Sequence, residues 1–312
     1  MDMSPGQARV VDPVLTNHAT GYRQPGLVAD KLFPYVTVPS RAAKRIIFGK
    51  QAMRIYDSVR APGAEYKRVQ FGYEAETVSL IQRGLEASVP IEHVEESEAG
   101  PKIDLKLRAV GVVSHSIELE REVETATLAR TAANYAADNK LAYTDATSWW
   151  NAASKPQADV EAAAEVIRSK TGLRPNKLIL SASARSAARV HPDVVAYRKS
   201  VGQPQVDDDL LRRYFDVEEL VVANAVVAGA NDAFSDVWGT DAVLAFVDDS
   251  EGRQMELPSY GYTYRLRGHP FVTPMTWDGK TDSWVGKYKS EQRPYVVGND
   301  SGFLMQNAGL KA

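Results

Sequence analysis

Apolar and polar positions divide the chain into segments of different period. From Ser116 to Asp145 there is no Gly and no Pro, and strong helix formers dominate. Leu119, Val123 and Ala126 mark one apolar stripe, and Leu128, Ala132 and Tyr135 a second, so the stretch predicts one long helix. Glu118, Glu120, Glu122 and Glu124 suit its first turns. Alanines at 126, 129, 132, 133, 136 and 137 would let a sheet or loop approach its backbone closely. Just before it, residues 103–115 alternate apolar and polar through Leu107, which predicts a half-buried strand.

Beyond Trp149-Trp150 and Pro156 the period changes. Residues 159–170 predict an amphipathic helix, with Asp159 as N-cap and Gly172 as its stop. Residues 177–181 (KLILS) predict a short buried strand, and 183–190 another helix. Asp207, Asp208 and Asp209 precede LLRRYF as an acidic helix start. Residues 219–227 and 241–247 are apolar strands. Strands alternating with helices indicate an α/β unit over about 151–250. From Leu257 the pattern is strand-like, punctuated by Gly and Pro, and Asp278-Gly279 signals a hairpin. These closing strands are expected to return to the sheet beside the long helix.

The first 40 residues hold few helix or strand signals. Pro5, Pro13, Pro25, Pro34 and Pro39 recur, yet Val14, Leu15, Tyr22, Leu27, Leu32, Phe33 and Tyr35 are apolar anchors. An extended arm that buries these anchors on a neighbour fits that pattern.

Charge changes the picture in one place. Residues 41–70 carry eight basic residues against Asp57 and Glu65, a balance of +6. Residues 71–100 carry seven acids against Arg83, a balance of −6. With Pro62-Gly63 as punctuation, this predicts a two-armed projection, basic outward and acidic on return. Arg54, Arg60, Lys67, Arg68, Glu86 and Glu92 are its candidate inter-subunit contacts.

The chain has 312 residues, a net charge of −3 and no cysteine. That length allows one large or two ordinary domains. The charge excludes a general nucleic-acid binder, and the missing thiols exclude disulfides, thiolate catalysis and cysteine-based zinc sites. No apolar run reaches a membrane span and no secretory pattern opens the chain, so a soluble, unexported protein is expected. The five histidines lack metal-ligand spacing. Gly279-Lys280-Thr281 fails as a phosphate loop, because Pro274 stands where its first glycine is needed. No catalytic, cofactor or metal residue is predicted.

The ordered set of parts is specific. DPVLTNHATGYRQPGLVADKLFP followed by RIIFGKQAMRIYDSVRAPGA resembles the N-terminal arm and extended loop of tailed-bacteriophage major capsid proteins with the Hong Kong 97-like fold. NKLILSASARSAARVHPDV and YFDVEELVVANAV resemble that family's strand-then-helix segment and its later strand. YGYTYRLRGHPFV and PYVVGNDSGFLMQNA resemble its closing strands. The resemblance implies an α+β fold with an N-terminal arm at 1–45 and an extended loop at 46–90. A peripheral domain would comprise 91–150 and 255–312, with the long helix as its spine, and an axial domain 151–254. It implies a structural subunit forming pentamers and hexamers of an icosahedral head around double-stranded DNA, without sequence-specific binding. The subunit would assemble in the host cytoplasm and reside in the virion. Separate scaffolding, portal and cement proteins are the implied partners. Lys67 lies near the loop tip, but no acid catalyst or acceptor asparagine can be matched, so crosslinking is not predicted. An encapsulin-type compartment keeps the fold and changes the cargo. A soluble α/β enzyme is the other class, and it has little use for such an arm and projection.

Overall fold

The computed structural model describes residues 26–47, 74–99, 104–229, 231–250 and 258–311, with 55, 58–60, 65 and 66. It is a mixed α+β architecture of two main sheets joined by one long helix.

The helix is Leu105–Arg130, 26 residues or about 39 Å. It starts and ends eleven and fifteen residues earlier than the apolar pattern predicts. Residues 105–115 are therefore helix and not strand. The Asp104 carboxylate fixes the start, accepting from the amides of Lys106 and Leu107 at 3.0 and 3.1 Å. Alternation at Ile103, Leu105 and Leu107 is too short to outweigh that cap. Val110, Ser114, Ile117, Arg121 and Thr125 then form a continuous buried stripe. The glutamates at 118–124 lie in mid-helix, where they serve tertiary contacts instead of the dipole. The end is imposed by packing. Thr131 turns extended, and the freed carbonyls of Leu128 and Ala129 accept from Asn134 Nδ2 and Tyr135 Oη at 2.9 and 2.6 Å. Tyr135 is buried and stacks on Tyr260, with ring centres 5.4 Å apart. Continuing the helix would lose both caps.

The first sheet is built around the long strand Ser283–Val296. Ile81–Pro90 pairs along one side of it in a ten-residue antiparallel register. Gly261–Leu266, Phe271–Val272 and Thr276–Asp278 pair with it in turn. The predicted Asp-Gly hairpin is present, its turn held by Asp278 accepting from the Lys280 amide and the Thr281 hydroxyl. Tyr35–Val38 adds a parallel strand on Gly261–Leu266. Ala42–Ile47 and Glu74–Ser79 form a separate antiparallel ladder.

The second sheet runs in the order Lys140–Ala142, Gly302–Gln306, Ala242–Ala245, Lys177–Ser181, Glu219–Ala223. Of the closing strands, Gly302–Gln306 thus leaves the first sheet for this one. Both faces of its inner strands are buried. Leu178, Leu180, Leu244, Phe303 and Met305 meet the helices Pro156–Thr171, Ala182–Val190 and Asp208–Tyr214, with Trp149 and Phe215. Ile179, Val243, Ala245 and Leu304 face the other way, toward Ala126 and Ala129 of the long helix and Tyr135, Trp238 and Tyr260. Two buried faces explain why LIL within KLILS, and AVLA, are unbroken apolar runs. Asp207 caps its helix as predicted, accepting from the Leu210 amide at 2.8 Å. Gly172, at φ +75°, stops Pro156–Thr171. Asp159 does not cap that helix. Pro156 starts it after Lys155, and Asp159 accepts from Tyr143 Oη instead. The helix Pro192–Ser200 has no counterpart in the sequence reading.

The arm reading also changes. Leu32 and Phe33 are fully buried in this subunit, on Ala29–Leu32 and just after it, and so need no neighbour. Val14, Leu15 and Tyr22 lie outside the described residues.

Candidate assembly surfaces

Of the six predicted contacts, the structure describes three, Arg60, Glu86 and Glu92; Arg54, Lys67 and Arg68 lie outside the described residues. Arg60 sits over the Tyr66 ring, 4.1 Å from its centre. Around it Ile55 is 100% exposed and Val59 and Tyr66 are 80% exposed, so apolar surface here faces outward. Glu86 projects from Ile81–Pro90 and lies 3.7 Å from Lys287 on the long strand. Both are largely exposed, and such a pair contributes about 1 kcal/mol at most. Glu92 is exposed in the first turn of Ile91–Ala99. No described ion pair joins these three to one another.

The interactions that matter inside the subunit belong to residues to which the sequence reading gave no tertiary contact. Glu122 is fully buried at mid-helix. Its carboxylate accepts from the amides of Val28 and Ala29 at 3.0 and 2.8 Å and from Trp238 Nε1 at 2.7 Å. One side chain thus ties the N-terminal segment and the Trp238 loop to the long helix. Burial pushes its carboxyl above the ordinary range, outweighing the donors that pull it down. Nearby, Lys31 pairs with Glu219 at 2.6 Å, and buried Lys177 reaches Glu219, Asp249 and the Lys31 carbonyl. At the helix end Arg130 bonds Asp241 at 2.6 Å and the Val237 carbonyl at 3.2 Å. Arg41 makes a two-pronged contact with buried Glu291, at 2.7 and 2.9 Å, fixing the approach to the Ala42–Ile47 ladder. Nothing in sequence distinguishes Glu122 from Glu118, Glu120 and Glu124; only its depth does.

One pair carries the residue types of a nucleophilic site. Ser154 Oγ lies 3.2 Å from buried His191 Nε2, with Asp193 beside them. His191 Nδ1, however, accepts from the Asp193 amide and caps Pro192–Ser200. Nε2 then carries the proton and donates to Ser154, the reverse of what a general base needs. Asp193 is engaged by Lys155 at 3.0 Å. Among the described residues no group of three or more His, Asp or Glu could hold a metal, and no helix is long and apolar enough to cross a membrane.

No protein-family model matches the sequence. The major capsid protein of Burkholderia phage BcepMu is 34% identical over 300 residues, covering 95% of this chain and 96% of that protein. The crystal structure of a phage-related protein from Bordetella bronchiseptica RB50 superposes with a TM-score of 0.84 at 41% identity, covering 98% of this chain and 100% of that one. The capsid of cyanophage P-SCSP1u shares the fold at a TM-score of 0.57 and 12% identity, covering 98% of this chain and 92% of that one.

Proposed function

This chain belongs to the major capsid proteins of phages, with the Hong Kong 97-like fold, and from that premise we propose that its copies close into an icosahedral head enclosing double-stranded DNA. The observation that carries the reading is 34% identity to a phage major capsid protein over 95% of this chain. It favours a head over an encapsulin-type compartment. The role is structural, as in the major capsid relatives.

Within the shell, 1–45 serves as the arm, with 28–38 of it seated on this subunit's own body, and 46–90 as the extended loop, rooted where Ile81–Pro90 joins the first sheet. Residues 91–150 and 255–312 form the peripheral domain, which lends Lys140–Ala142 and Gly302–Gln306 to the sheet of the axial domain, 151–254. Arg54, Arg60, Lys67 and Arg68 meet acids of an adjacent copy, with Glu86 and Glu92 as acidic contacts. Pentamers and hexamers build the head in the host cytoplasm, with separate scaffolding, portal and cement proteins. DNA is held weakly and without sequence preference, because a net charge of −3 gives no general grip on phosphates.

Electron microscopy of the purified chain tests this; stable monomers under all assembly conditions would defeat the reading. The loop is tested by reversing Arg54, Arg60 and Arg68 to Glu. The subunit should stay folded by circular dichroism while sedimentation shows failed or aberrant particles. Assembly at the wild-type rate in low salt would remove the loop's charges from the mechanism.

A further inference from the structure

The long helix meets the first sheet in two chemically different ways. Near its start the contact is apolar: Val110 and Ile117 pack with Val272 and Tyr288. At its end Ala126 and Ala129 enter the core of the second sheet. Between these anchors the seam is polar. Ser290 and Gln292 follow Tyr288 at two-residue steps on the long strand, so they share its helix-facing side. The register agrees: Arg83, opposite Ser290, reaches back to Glu120 and Glu124 at 3.0 and 2.7 Å. Arg265, opposite Gln292, lies 4.1 Å from the ring centre of Tyr35, and Arg121 of the helix lies 4.6 Å from the same ring.

Thr125, Ser290 and Gln292 are at most 1% exposed, and Arg121 is 3% exposed. Thr125 Oγ1, Ser290 Oγ, both polar atoms of the Gln292 amide and Arg121 Nη1 have no hydrogen-bond partner among the described residues. An unpartnered buried polar group costs about 1–3 kcal/mol, and native proteins satisfy such groups with water when protein cannot. The charges here balance, with Arg83, Arg121 and Arg265 against Glu118, Glu120 and Glu124, so an uncharged occupant fits better than an ion.

We propose that this seam is an internal water-binding site, in which ordered waters bridge Thr125 and Arg121 of the helix to Ser290 and Gln292 of the long strand. Water accepts and donates in many orientations. The middle of the helix can therefore shift against the sheet at little cost while its apolar ends stay seated. The proposal concerns the subunit alone and is independent of shell formation.

The test replaces Thr125→Val, Ser290→Ala and Gln292→Met together in the full chain. If waters satisfy these groups, the variant should unfold at the same or a higher temperature. Backbone amides of 118–126 should exchange with solvent about tenfold more slowly, because the seam is dry and fixed. A lower midpoint or failure to fold would show that the polar groups bond protein directly, and would overturn the proposal. High-resolution diffraction from the wild-type chain decides independently. Solvent density within hydrogen-bond distance of Thr125, Ser290 and Gln292 supports it. A dry seam or a bound ion there refutes it.

Discussion

Glu122 shows how much of the subunit's stability rests on single polar groups. It supplies the acceptor for three donors that come from residues 28, 29 and 238. Glu122→Ala should cost about 3 kcal/mol in urea unfolding, since those donors stay buried without a partner. The carboxyl also sets a pH dependence. Burial raises its folded value above the ordinary 4.5, so the folded state holds the proton more tightly than the unfolded chain. Stability from this group is then fully present below pH 4.5 and is lost as the pH rises through the folded value. Glu122→Gln cannot titrate. The wild-type stability minus that of this variant should therefore fall with rising pH above 4.5, and a flat difference would refute the assignment.

At the scale of elements, the long helix is fixed by its caps. Asp104→Ala should cost about 1 kcal/mol through the lost N-cap. Tyr135→Phe should cost about 1 kcal/mol through the hydroxyl that holds the Ala129 carbonyl. The two sites lie some 39 Å of helix apart, so the double variant should lose the sum. Urea midpoints of the four chains decide; a double variant no worse than one single would mean the ends are not independent. The same helix shows what the sequence makes legible. Its existence follows from composition, and so do the Asp207 cap, the Gly172 stop and the KLILS strand, because each rests on local chemistry. Its boundaries do not. Asp104 competes with an alternating run, and Thr131 sits in an alanine-rich stretch that would continue as helix but for Tyr135 and Asn134. Strand partners are harder still. Nothing local in GFLMQ tells that it leaves the first sheet for the second. The candidate contacts were legible as a charge pattern, whereas the internal ties at Glu122, Lys177 and Glu291 depend on residues far apart in the chain.

At the scale of the molecule, part of the N-terminal segment is built into the subunit. Residues 28–38 belong to the folded body through Leu32, Phe33, the Lys31–Glu219 pair and the strand Tyr35–Val38. Removing residues 1–40 should therefore leave insoluble or unfolded protein. Circular dichroism and sedimentation check this, and a folded, soluble product lacking 1–40 would contradict it. Chain order has a second consequence. The strand at the centre of the first sheet is Ser283–Val296, and Gly302–Gln306 lies between Lys140–Ala142 and Ala242–Ala245 in the other. Every partner of these strands is made before they are. A nascent chain on the ribosome thus carries two unfinished sheets until translation passes residue 306. Subunits still attached to a polysome would lack the finished surfaces needed to join one another in register, so the timing of synthesis itself would hold back premature shell assembly.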